Sequence, residues 1–223
     1  MRVLCNEYGI DYVFGENRMM EIVLDTSDVY SAFLNSLYLQ SNIADSFIIL
    51  SDQEKELRFD KVAEIISDPF AISVNDRKIL GRIYQDMTDH ANNSMSEQVI
   101  NAHSVLEKLI IDICDDSEYP MTYEPSPELT DLLKLFKVHI NLDDEDIANK
   151  LISYVKISHR ILGTAFFVFI NIRDYLNDEL MKLFCRSFSY ENVRAMMIER
   201  HEYNRIATVD RLIIDKDLCL IYN

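Results

Sequence analysis

Apolar positions along the chain change their spacing twice. Near the start they come in short runs. Arg2–Cys5 and Tyr12–Phe14 read as strands around a loop containing Gly9, and Gly15 marks the next turn. Met19–Leu24 is an apolar run of strand length. Asp25-Thr26-Ser27-Asp28 then offers helix caps, and Val29, Phe33, Leu34 and Leu37 follow at helical spacing. Phe47–Leu50 is a further strand candidate.

From about Asp60 to His139 the period is almost wholly helical. Ile79, Leu80, Ile83, Tyr84 and Met87 share one face, and Val99, Leu106, Ile110 and Ile113 continue it. The polar stretch Asp89–Glu97 between them, with Asn92-Asn93-Ser94, predicts a kink or loop. Pro120, Pro125 and Pro127 end the helix in an exposed turn. Leu129, Leu132, Leu133 and Phe136 predict a shorter amphipathic helix.

Strand and helix then alternate again. Asp143–Asp146 opens a helix carrying Ile147, Leu151, Ile152 and Val155, with Asp143 as its natural cap. Ala165–Ile170 is wholly apolar, as a parallel strand buried on both faces requires. Asn177 caps a helix with Leu180, Leu183 and Phe184. Val193–Ile198 is a strand, and Leu212–Ile214 and Leu218–Ile221 flank a tight turn. The expected architecture is a discontinuous α/β head, residues 1–59 plus 143–223, with an all-α insertion over 60–142.

Charge complicates any functional reading. With 22 basic against 38 acidic residues the formal charge is -16. Taken alone this disfavours nucleic-acid binding, which relies on Lys and Arg. It favours an acidic protein-binding module, or a DNA mimic that occupies a basic groove. The basic residues form loose groups: Lys55, Arg58 and Lys61; Lys134 and Lys137; Lys156, His159 and Arg160; and Arg173 with Lys182 and Arg186. The acids cluster twice, as Asp112, Asp115, Asp116, Glu118 and Glu124, and as Asp143–Asp146. The first reads as a solvated helix end, the second as acids favoured by the helix dipole.

Catalytic signatures are sparse. A nucleotide-binding loop needs glycines and a lysine at the turn after Leu24, and the chain has Asp25-Thr26-Ser27-Asp28-Val29-Tyr30. Where a metal-holding acid would follow the strand Phe166–Ile170, Asn171 stands. No nucleotide cofactor is expected, and no enzyme. His103, on an apolar helix face, reads as a core histidine. Cys5, Cys114, Cys185 and Cys219 form no CxxC pair and read as small buried thiols. No leader and no apolar run of membrane-span length are seen, so a cytoplasmic protein without membrane attachment is expected.

The last sixty or so residues carry a more specific pattern. Phe166-Phe167-Val168-Phe169-Ile170-Asn171 leads to Tyr175-Leu176 and Asp178-Glu179. A helix follows, then a strand ending Met197-Ile198-Glu199-Arg200, then Tyr203, and finally Ile213-Ile214-Asp215-Lys216-Asp217. This order resembles the accessory adaptation protein of type II-A CRISPR systems, and the upstream plan of strands, helix, strand and helical insert is similar. The resemblance implies an α/β fold with a degenerate P-loop-like head and an inserted helical leg. It also implies a homotetrameric ring threaded by double-stranded DNA, working with the CRISPR integrase complex and effector nuclease to capture spacers. Bases would line the hole, and Lys55, Arg58, Lys134, Lys137 and Arg173 are the candidates. The family's calcium would fall to Glu118 and Glu124, in a turn where Pro120, Thr122 and Pro125 thin out the carboxylates.

Overall fold

In the computed structural model, residues 1–42, 47–53, 55–124, 127–142, 146–191 and 193–222 are described. The expected cap Asp143, its neighbours Asp144 and Glu145, and Pro125 lie outside them. The chain is mixed α/β and divides into two compact units, residues 1–74 with 142–223, and residues 75–141.

The first unit holds two sheets. Strands β1 (Arg2–Cys5), β2 (Ile10–Val13), β4 (Ile49–Asp52) and β5 (Lys55–Leu57) form an antiparallel sheet in the order β2-β1-β4-β5. The larger sheet runs β10-β9-β3-β8-β7-β6, from Leu220–Tyr222, Val209–Ile214, Met19–Leu24, Arg194–Glu199, Phe166–Ile170 and Ala63–Ile66. Strands β9, β3, β8, β7 and β6 are parallel, and only β10 turns back against β9. All five residues of β7 are buried, as its unbroken apolar sequence demands.

Residues 60–74 were expected in the helical insertion, and the structure corrects this. Ala63–Ile66 pairs in parallel with β7, in the register Ala63↔Phe166 to Ile66↔Phe169. Four residues with one acid in the middle carry too little period to show that. Glu64 is nevertheless well used there. Its carboxylate accepts from the Tyr154 hydroxyl and, at 2.8 Å, from Ser158 Oγ, both on helix α6 (Ile147–Leu162). The acid is the point at which α6 is fastened over β6.

Alternation along the parallel strands separates two faces. Met20, Ile22, Leu24, Met196, Ile198, Leu212 and Ile214 join one core with Phe33 and Leu37 of helix α1 (Ser27–Asn42) and with Val3, Ile10 and Leu50 of the small sheet. On the other face Phe169 meets Phe184 and Phe188 of helix α7 (Asp178–Tyr190) edge-on, with ring centroids 5.1 and 6.1 Å away. Asn177 caps α7 as its sequence predicts, accepting from the backbone N–H of Glu179 and Leu180. Helix α6 begins at the Asp146 cap and ends at Gly163, whose φ of 76° suits glycine.

Short helix α2 (Phe59–Val62) precedes β6. In the second unit, α3 (Arg77–Ser94) starts from Asp76, which accepts from Ile79 N–H at 2.8 Å. The break before α4 (Ser96–Asp115) falls at Met95, within the polar stretch Asp89–Glu97 expected to kink or loop, while Asn92-Asn93-Ser94 remain helical. Those asparagines are exposed, so solvent satisfies their side chains without cost to the helix. Helix α5 is Leu129–Leu135. Asn75 closes the unit on itself, exchanging two hydrogen bonds with the Ile140 backbone at 2.8 and 2.9 Å.

Helix α4 has no buried residue. Val105, Leu109 and Ile113, one stripe at i, i+4, i+8, are more than half exposed. His103 is only half-buried, and its Nε2 has no protein partner, so the core-histidine expectation does not hold. Cys5 and Cys185 are buried, and burial pushes their thiols up to about 11 and about 12. Cys114 is half-buried and Cys219 exposed, because the β9–β10 turn carries Cys219 outward. No described helix is long and apolar enough to cross a membrane.

Candidate functional site

The C-terminal ends of β3, β7 and β8 are where an open parallel sheet normally places its ligand. Here β3 passes into α1 through Asp25 and Thr26, without a glycine and without a left-handed residue. The glycines and the lysine that let a phosphate approach the backbone at such a turn are absent from this segment. The Ser27 hydroxyl instead accepts from Arg200 Nη2 at 2.6 Å. At the end of β7, Asn171 sits at φ 51°, and its N–H donates to the Ile198 carbonyl at 2.9 Å.

Under these strand ends lies a cluster of buried charges. Glu21, Glu199, Arg173 and Arg211 are each no more than 5% exposed. Arg211 Nε donates to Glu21 Oε2, and Arg173 Nη1 lies 3.7 Å from Glu21 Oε1. Arg173 Nη2 also reaches Asp178 at 3.1 Å, and Arg211 Nη1 reaches Glu202 at 3.1 Å. Glu199 Oε1 accepts the Arg173 backbone N–H at 3.3 Å, while Oε2 has no protein donor. Burial is the main cause that pushes Glu199 up to about 8, with Glu21 and Asp174 adding to it and Arg173 opposing. Glu199 is therefore largely protonated at neutral pH.

This removes Arg173 from the residues expected to face DNA. Its side chain is 1% exposed and committed to Glu21, Asp178 and the Asn204 carbonyl. Lys55 is exposed on β5. Arg58 is exposed and forked onto Asp60, at 3.1 and 2.8 Å. In the second unit Lys134 is exposed and paired with Asp131 at 2.9 Å, and Lys137 is exposed at φ 50°. Exposed pairs of this kind contribute little, on the order of 0–1 kcal/mol, and exchange readily for another anion.

Glu118 and Glu124 are exposed. Among the described residues no three His, Cys, Asp or Glu side chains come together as a metal site. Calcium prefers six to eight oxygens, so these two carboxylates do not form a calcium site by themselves.

Glu21 and Arg211 were not singled out in the sequence, and Glu199 was noted only as the acid ending a strand, not as a buried one. The available signal was a lone charge inside an apolar strand, as in Met19-Met20-Glu21-Ile22-Val23-Leu24. Charges are rarely fully buried unless paired, so each such residue calls for a partner on another strand.

The described residues define a mixed α/β protein, with a mainly parallel sheet in one unit and helices in the other. Residues 40–218 match the family described as CRISPR-associated protein (Cas_Csn2). The chain belongs to that family, the accessory adaptation proteins of type II-A CRISPR systems. No curated protein matches it.

Proposed function

We propose that this chain is a non-catalytic, ring-forming binder of double-stranded DNA ends in CRISPR spacer acquisition, with a degenerate P-loop-like head and a helical leg. Family membership over residues 40–218 carries the reading. The Gly-free, Lys-free turn Asp25–Asp28 is consistent with a head that has given up nucleotide chemistry. The integrase complex and effector nuclease are the partners this role requires, and the cytoplasm its compartment. Calcium enters from the same resemblance. Glu118 and Glu124 would need further oxygens, from backbone carbonyls or a second subunit, to hold it.

Binding through phosphates has a clear signature. Linear duplex DNA should be retained and closed circles released, since a ring is threaded from an end. Affinity should fall steeply with salt. A gel shift on both forms, with and without calcium, checks this. Equal, stable binding to circles argues against threading. No shift at all, together with capture of a basic protein, favours the DNA-mimic reading that the charge of -16 supports.

Lys134→Ala with Lys137→Ala is expected to weaken binding to all duplex sequences alike. Each lost phosphate contact should flatten the slope of log affinity against log salt by about 0.9. Light scattering should find the oligomer unchanged. An unaltered affinity and slope would take both lysines out of the interface.

A further inference from the structure

Strands β8 and β9 lie on either side of β3 and run parallel to it. Residues 200–208 must therefore return along the length of the sheet. Parallel crossovers usually do this with a helix, which satisfies its own backbone. No helix forms here, so the segment needs outside donors.

The buried cluster supplies them. Arg211 Nη2 donates to the Tyr203 carbonyl at 2.8 Å, and Arg173 Nη2 to the Asn204 carbonyl at 3.1 Å. The Tyr203 ring lies 5.0 Å from the Arg173 guanidinium, and its hydroxyl donates to Asp174. Asn204 Nδ2 donates to Asp178 at 2.8 Å, and Ile206 is buried. Tyr203, Asn204 and Ile206 thus hold the segment to the sheet, and Arg200, His201 and Arg205 are exposed, as are Glu202 and Asn204. The exposed acid in the segment, Glu202, shares Arg211 with Glu21.

We infer that residues 200–206 form a fastened strap that presents Arg200 and Arg205 to the phosphate backbone of duplex DNA. This rests on the DNA-binding reading and adds residues to it. Guanidinium groups suit phosphate because their forked donors match two oxygens. A strap already fixed to the sheet loses little freedom on binding, so its contacts are not offset by ordering. In a chain with an excess of acid, attraction at long range is weak, and such short, oriented contacts are what remains.

The test uses fluorescent linear duplex DNA of mixed sequence, titrated at several salt concentrations. Arg205→Gln should flatten the salt slope by about 0.9, and Arg200→Gln with Arg205→Gln by about 1.8, with every sequence affected alike. Melting curves should match the parent. Arg200 also holds Ser27, so if the double variant melts early the exposed Arg205 alone decides. Binding by the parent with unchanged affinity and slope in Arg205→Gln would overturn the strap and leave the DNA-binding reading standing. Absence of binding by the parent would overturn that reading, and the strap with it.

Discussion

Glu199→Gln should stabilise the protein at alkaline pH and leave it nearly unchanged near pH 4. Burial raises the Glu199 carboxyl from an ordinary 4.5 to about 8. Below 4.5 the group is protonated in both the folded and unfolded chain, and its neutral form fits the site at no electrostatic cost. Between 4.5 and about 8 only the unfolded chain releases the proton, so stability falls as pH rises. Above that the loss is complete. Glutamine keeps the shape of the neutral acid and does not titrate. Its carbonyl can accept the Arg173 N–H, and its amide faces the place where Oε2 now lacks a donor. The stability difference, variant minus parent, should therefore grow by about 1.4 kcal/mol per pH unit across that window. Urea unfolding at several pH values measures it. A difference that does not change with pH would mean that Glu199 ionises normally in the fold.

Arg211→Met should be among the most damaging single changes, at about 3–5 kcal/mol. It removes the partner of buried Glu21 and frees the Tyr203 carbonyl that the guanidinium now satisfies. The remaining cation, Arg173, stands 3.7 Å from Glu21, too far for a good hydrogen bond. For a chain of this size the melting temperature should drop by roughly 2–4 °C for each kcal/mol lost. Adding Glu21→Leu should recover part of the loss, because the unpaired acid is then gone. A loss below about 1 kcal/mol in Arg211→Met would show that water or a neighbour takes over the pair.

Most of the regular structure was legible because burial imposes simple periods. Phe166–Ile170 is apolar at every position, since a central parallel strand is covered on both faces. Asn177 announces a helix start through a side chain that can accept the free amides of the first turn, whereas the cap of α6 is Asp146 and not the expected Asp143. Ala63–Ile66 was read as helix because so short a strand, paired only with a segment a hundred residues away, has no local signature. The candidate site was less legible. Lys55, Arg58, Lys134 and Lys137 are exposed, as expected of long cations. Arg173 is buried, and nothing within its own turn reveals that.

By itself the amino-acid sequence determined the alternation of strand and helix, the helical stretch that forms the second unit, and the missing glycines and lysine of the β3–α1 turn. These depend on neighbours a few positions apart, where propensity, capping and period act. Only the tertiary structure decided which charges are buried. Glu21, Arg173, Glu199 and Arg211 come from three strands and a turn, and parallel pairing sets them side by side. It also decided that residues 200–208 cross the sheet without a helix, with the Tyr203 and Asn204 carbonyls accepting from Arg211 and Arg173. Whether an arginine faces solvent or satisfies a buried carbonyl follows from what the fold brings near it, and no short window of residues contains that.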